Sequence, residues 1–411
     1  MRFAKIKFAF FALAIVFLLF FSNDFGLIDI EKTAIITAVA VDITEDGEYK
    51  VTAQIAVPEA TDTNTENQRA QISGKGATVG AAIKNIGDTS GWFPQLCFCN
   101  LIAVGNGFSD YNLIKVLDYF SKTLRVQDTA LIVMAEEDGE ELLKLATPLD
   151  NISSFALQKI ILKNAGLNRD VAVSDIKSFC TGYYSDAGAS ILPVIKVVSQ
   201  KKENENASAE NGAGGTGGNG GNGGNGGNGG QSGSGAKGDA IFNANTTALF
   251  LHGVKVGELD ENLTLAFNAL TKDFSNTTFQ LKSVVMGTGT ENFLLTVFSC
   301  NADKKLEVSA SGITLKVCVD IYAKISDRNG ENTDLDFVKN LPMPYYVKER
   351  AEKDFTAYIE DLIRTAKTTK CDFLDIKKEL YRKHYSFYHI YKNDYLERLT
   401  FTVKVNFSGQ K

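Results

Sequence analysis

The chain is predicted to adopt an α+β (mixed α/β) fold in two modules, on three observations. Between residues 27 and 200, short apolar runs alternate with stretches of helical periodicity, the pattern of a mixed sheet-and-helix module. From 239 to 411 the pattern turns strand-rich, with helices towards the end, as for an antiparallel sheet covered by helices. Between them lies "NGAGGTGGNGGNGGNGGNGGQSGSGAKG" (Asn211–Gly238), too dense in glycine to build a core. With the polar run before it, residues 201–238 read as a flexible linker.

Residues 1–25 read as a membrane segment. Arg2, Lys5 and Lys7 precede a run with no polar residue that includes Phe8, Phe11, Leu13, Ile15, Val16, Leu18 and Phe21. A cationic flank before an apolar run is the export pattern, with the charged end kept in the cytoplasm. The run is shorter than the roughly 20 residues of a relaxed spanning helix, which favours a cleaved signal. Against cleavage, "FFSNDFGLIDI" has no small-x-small site, and no cysteine follows at which a lipid could be attached. The expectation is an uncleaved anchor with the bulk of the chain on the extracytoplasmic side.

A chain of 411 residues with 44% hydrophobic and 22% charged residues can bury two or three cores. Its net charge of −6 argues against a nucleic-acid partner, which would need a basic footprint. Cys97, Cys99, Cys180, Cys300, Cys318 and Cys371 read mostly as buried free thiols. Cys97 and Cys99, alternate residues of one strand, are poorly placed to bridge each other.

The elements follow in order. "TAIITAVAVDITEDGEYKVTAQIAVPEA" is a hairpin turning at Asp46-Gly47, with Tyr49, Val51, Ala53, Ile55 and Val57 alternating against polar partners. Thr61 to Arg69 is a polar loop, and "ATVGAAIKNIGD" is a helix capped by Thr78 and closed by Gly87. "LCFCNLIAVG" is a buried strand. A helix behind a Ser109 cap follows, with Leu113, Val116, Leu117 and Phe120 on one stripe. "TALIVMA" is a strand, "DGEELLKLATP" and "DNISSFALQKIILKNAG" are helices, and "SILPVIKVVS" is a strand.

After the glycine segment, "TALFLHGVKVGEL" turns at His252-Gly253, and strands are expected at "TTFQLKSVVM", "NFLLTVFSC", "KLEVSA" and "ITLKVCVDIYAKI". A helix behind Pro344 aligns Val347, Ala351, Phe355, Tyr358 and Leu362, and a second runs from near Asp372 towards His384. "LTFTVKVNFS" ends the chain as a half-buried strand.

Chemistry is sparse. "GKGATVG" (Gly74 to Gly80) has its third glycine one place late for a dinucleotide turn, so it reads as a turn into a helix. Glu136, Glu137, Asp138, Glu140 and Glu141 could hold a cation, but carboxylates in a first helical turn also offset the macrodipole. His384 and His389 lack zincin spacing. They lie in "YRKHYSFYHIYKNDY", where Tyr381, Arg382, His384, Tyr388 and His389 form a candidate partner surface; ordinary packing is the plainer reading. There is no G-x-S-x-G, P-loop or Cys/His nucleophile motif, so no catalytic, cofactor-binding or metal residue is assigned and an enzyme is not expected.

The exported part nevertheless resembles the C-subunit family of spore germinant receptors, the GerAC-type spore germination proteins. The likeness begins at "DIEKTAIITAVAVDITEDGEYKVTAQIAVP", with an a-x-x-x-D strand end, and continues through "SGKGATVGAAIKNI". It extends over "LCFCNLIAVGNGFSDYNLIKVLDYFSKTLRVQDTALIVMAEEDGEELL", "TALFLHGVKVGEL" and the terminal "CDFLDIKKELYRKHYSFYHIYKNDYLERLTFTVKVNFSG". The order of elements carries more weight than any one motif.

The resemblance implies a non-catalytic subunit at the outer face of a spore membrane, working with A- and B-type membrane subunits. The sequence departs from the family pattern in three places: there is no lipidated cysteine, Asn100 stands where a histidine is common, and the glycine segment is long. Without that cysteine, the run Phe8 to Phe21 is the only tether the sequence offers. The competing expectation is a stand-alone exported module that binds a ligand or envelope component.

Overall fold

The structure, a computed structural model, describes residues 11–15, 33–56, 69–123, 126–150, 152–167, 171–199, 240–271, 277–286, 289–329 and 343–409. Residues 11–15 are helical, with Phe11, Leu13 and Ile15 exposed. Phe8, Val16, Leu18 and Phe21 lie outside the described residues, as does the glycine segment. Among the described residues no helix is long and apolar enough to cross a membrane.

The first sheet contains β1 (Thr33–Ile43), β2 (Tyr49–Ala56), β3 (Arg69–Gly76), β4 (Phe93–Gln95), β5 (Leu101–Val104), β6 (Leu131–Ala135), β7 (Ala189–Ser199), β8 (Ala240–Leu251) and β9 (Val254–Leu259). Their order is β3-β2-β1-β5-β6-β7-β8-β9, with β4 also beside β1. The central strands β1, β5, β6 and β7 run parallel, and antiparallel pairs flank them on both sides. Parallel neighbours require crossovers, and the helices between these strands supply them.

Strand alternation sends Val39 and Val41 of β1 to one face and Ala38 and Ala40 to the other. The first face is covered by α1 (Val79–Ser90), α2 (Ile114–Lys122) and α5 (Ile176–Tyr183), through residues such as Ile83, Leu117 and Phe179. The second is covered by α3 (Gly139–Lys144) and α4 (Ser153–Leu167), through Leu142, Leu143 and Leu157.

The second sheet is β10 (Thr277–Met286), β11 (Gly289–Ser309), β12 (Gly312–Asn329) and β13 (Leu399–Ser408), in that order. The first three run antiparallel, but β13 joins β12 in parallel. The parallel return is made through α7 (Tyr345–Thr369), α8 (Ile376–Lys383), α9 (Tyr385–Tyr391) and α10 (Tyr395–Arg398). Helix α7 buries Val347, Ala351, Phe355, Ile359 and Leu362, and Phe355 packs 5.7 Å from Phe279 and 6.1 Å from Phe407 between ring centroids. Tyr358, expected on that stripe, is half-buried.

Several local readings are corrected. The glycine segment does not separate the two sheets. Ser199 of β7 pairs with Ala240 of β8, so the segment is inserted between neighbouring strands, and β8 and β9 complete the first sheet. Composition marks residues that cannot form a core, but it cannot show which strand the returning chain will pair with. Residues 69–76 form strand β3, of which only the end of a loop at Arg69 and the start of a turn into a helix at Gly74 were expected; α5 is an additional helix, and α6 (Glu261–Thr271) is another. "NFLLTVFSC" and "KLEVSA" are one continuous strand.

Thr78 does cap α1, its hydroxyl accepting from the Ala81 amide, but the helix runs past Gly87 to a left-handed Gly91 (φ 72°). Ser109 donates to Asn106 instead of capping α2, and Asn112 accepts from the Ile114 amide. Within "LCFCNLIAVG" only Leu101–Val104 is extended. The cysteines are free: Cys99 and Cys371 are buried, Cys180 and Cys300 partly so, and Cys97 and Cys318 are exposed.

Candidate partner-binding surface

The aromatic stretch after Asp372 is mounted on a buried carboxylate. The Asp372 side chain, 2% exposed, accepts from the amides of Ile376 (2.9 Å) and Lys377 (2.7 Å) and from the Tyr395 hydroxyl (3.0 Å). It therefore satisfies the free N–H groups at the start of α8. Burial pushes the Asp372 carboxyl above its ordinary value, against the pull of those hydrogen bonds. Next to it, the Cys371 thiol donates to the Phe250 carbonyl of β8 at 3.3 Å, and burial pushes that thiol up to about 12. The contact joins the two sheets.

From this base the ring cluster is built. Tyr381 meets Tyr385 at 5.4 Å and Tyr388 at 5.1 Å, both edge-on, and Tyr385 meets His389 at 5.2 Å. Tyr388 is 9% exposed and donates to the Asp186 carboxylate at 2.9 Å, while Lys377 donates to the Asp186 carbonyl at 2.7 Å. A ring nitrogen of His384 bonds the Leu306 carbonyl at 2.9 Å. Of the five residues singled out by sequence, His384 and Tyr388 thus hold the fold together, and Tyr381, Arg382 and His389 face solvent. Tyr385, in ring contact with Tyr381 and His389, and Ile390 are also exposed and were missed, although their presence in the same aromatic run could have flagged them.

The acidic patch resolves into a helix terminus. Asp42, buried at the end of β1, accepts from the Gly139 and Glu140 amides at 2.7 and 3.0 Å. Burial raises its carboxyl above the ordinary value. Glu140 pairs with Lys50 and Lys144; burial works against its charge, but these lysines hold it below the ordinary range. Among the described residues no group of three or more His, Cys, Asp or Glu could hold a metal ion. Gly74 and Gly76 serve packing: a side chain on either would collide with the α1 backbone at Ala82.

Two further surface features stand out. An apolar groove of about 960 Å³ runs between the start of β8 and α4, with Leu149 93% exposed and Phe155, Leu162 and Ile241 also open to solvent. At another edge, Trp92, Phe93 and Phe98 are 47%, 51% and 57% exposed.

Two family profiles match the chain in order. Residues 27–197 match the spore germination protein N-terminal domain, and residues 245–408 match the spore germination B3/GerAC-like C-terminal domain. The fold is similar to the crystal structure of the GerBC protein, with a TM-score of 0.51 and 12% identity over 93% of this chain and 99% of that one. No curated protein matches the chain.

Proposed function

Because the chain belongs to the GerAC-type spore germination family, we propose that it works as a membrane-anchored, extracytoplasmic C subunit of a germinant receptor. The observation that carries this reading is the ordered pair of family domains on either side of the glycine segment. The subunit acts in nutrient-triggered germination by contact and not by bond-making, with A- and B-type membrane subunits as partners at the spore inner membrane. The run from Phe8 to Phe21 is its tether. The exposed Tyr381, Arg382, Tyr385 and His389, supported from below by His384 and Tyr388, make up the proposed partner surface. Exposed Tyr and Arg support that assignment, since both are enriched at interfaces.

The test is mild cross-linking of the full-length chain in spore membranes, followed by affinity recovery and mass spectrometry of the intact N-terminus. Recovery of a polytopic transporter-like protein, with residues 8–21 still attached, is the expected result. A processed chain in the soluble fraction, with no membrane partner, would shift the assignment to a stand-alone exported binding module.

A further inference from the structure

Helix α1 ends at Gly91, whose left-handed backbone closes the helix with its N–H donating to the Gly87 carbonyl. The next two residues, Trp92 and Phe93, are about half exposed and help wall a pocket of about 620 Å³ with Ile83 and Tyr119, while Pro94 lies close to Gly87 and Leu96 is buried, pinning the loop behind them. Phe98 is exposed on the same short connection, which turns back through the Cys99 amide bonded to the Leu96 carbonyl. Three large rings are thus about half exposed within seven residues of one short segment.

The position of this segment matters. Phe93 is the register partner of Thr33, the first residue of β1, in a parallel pair. The exposed rings therefore lie where the chain arrives from its N-terminal apolar run. Only residues 22–32 separate Phe21 from Thr33, a reach of at most roughly 40 Å when fully extended. We infer that Trp92, Phe93 and Phe98 form a membrane-contact edge that dips into the headgroup layer of the bilayer holding the N-terminal segment. This rests on the anchor reading proposed above.

Size and composition favour lipid over protein as the occupant. Three rings of roughly 150–250 Å² each, about half exposed, offer on the order of 300 Å². A stable protein interface takes about 800 Å² from each partner. Tryptophan and phenylalanine at the headgroup level are the usual composition of interfacial contacts. The neighbouring charges Lys84 and Asp88 pair with each other at 3.7 Å, which leaves no net basic patch there. The contact is thus apolar, and it should form on zwitterionic lipid and persist in high salt.

Trp92 is the only tryptophan in the chain, so its fluorescence reports on this edge alone. The full-length chain is reconstituted into phosphatidylcholine vesicles, isolated by flotation, and compared in vesicles containing lipid brominated near the headgroup end of the acyl chains. The expected result is at least a two-fold quenching of Trp92 emission, reduced by half or more in a Phe93→Ser/Phe98→Ser variant. A chain that floats with the vesicles while Trp92 stays unquenched overturns the membrane edge and leaves the anchor intact. A chain that fails to float overturns the anchor reading and the edge together.

Discussion

The Tyr388 hydroxyl lies 2.9 Å from the Asp186 carboxylate, joining residues 202 positions apart. Asp186 belongs to the turn that feeds β7 of the first sheet, and Tyr388 sits on α9 beside the second. With the Lys377 bond to the Asp186 carbonyl and the Cys371 bond to Phe250, it ties the two sheets into one body.

That bond should be measurable. A hydrogen bond to a charged acceptor contributes about 1.5–3 kcal/mol, and partial solvent access at Asp186 brings the expectation to the lower end. Tyr388→Phe should therefore cost about 1–2 kcal/mol in urea unfolding. In a double-mutant cycle with Asp186→Asn the two effects should couple by more than about 0.5 kcal/mol. Strictly additive effects would show that the pair contributes nothing.

The pH dependence follows from Asp42 and Asp372. Both carboxyls are raised by burial, so the folded state holds their protons more tightly than the unfolded chain does. Their contribution is complete below about pH 4 and is lost as pH rises through the folded value. Asp372→Asn removes that titration. The stability difference between wild type and variant, read from guanidinium midpoints from pH 4 to 7, should therefore narrow as pH rises. A gap that widens with pH would contradict the assignment.

The glycine segment makes a thermodynamic prediction because its ends are held by the Ser199–Ala240 pair. Deleting residues 211–238 shortens the connection between these strands from 40 residues to 12. By loop-closure entropy this should leave the fold cooperative and stabilise it by roughly 1 kcal/mol. A thermal melt in which the shortened chain loses its cooperative transition would show that the segment contributes to the core.

The exposed part of the aromatic surface should matter for partners and not for folding. A triple Tyr381→Ala/Arg382→Ala/His389→Ala variant is expected to stay within about 0.5 kcal/mol per site of the wild type. Its recovery of cross-linked membrane proteins should fall several-fold. Unchanged recovery at unchanged stability would direct attention to the apolar groove around Leu149 and Ile241.

Local signals were legible wherever the residue and its neighbours carry the reason. The Asp46-Gly47 and His252-Gly253 turns need a positive φ at glycine, and Thr78 needs only the amide three residues on, so all three could be read directly. The α7 stripe was visible because helical periodicity repeats within a few residues, although it places Ile359 and not Tyr358 fully inside. Strand β3 escaped because "RAQISGKG" is polar and glycine-bearing; it is extended because β2 supplies its partner and α1 covers it. Among the site residues, the aromatic run was evident, but nothing local showed that His384 would reach Leu306 or that Tyr388 would reach Asp186.

By itself the sequence determined the mixed fold class, most strands and helices, the apolar N-terminal run and the absence of a familiar catalytic motif. Those properties depend on composition and on periodicities of two to four residues. Tertiary structure alone decided that β8 and β9 return to the first sheet, that β13 enters the second in parallel, and which aromatic side chains remain exposed. These outcomes depend on register and burial between segments up to two hundred residues apart, which chain-local chemistry does not encode.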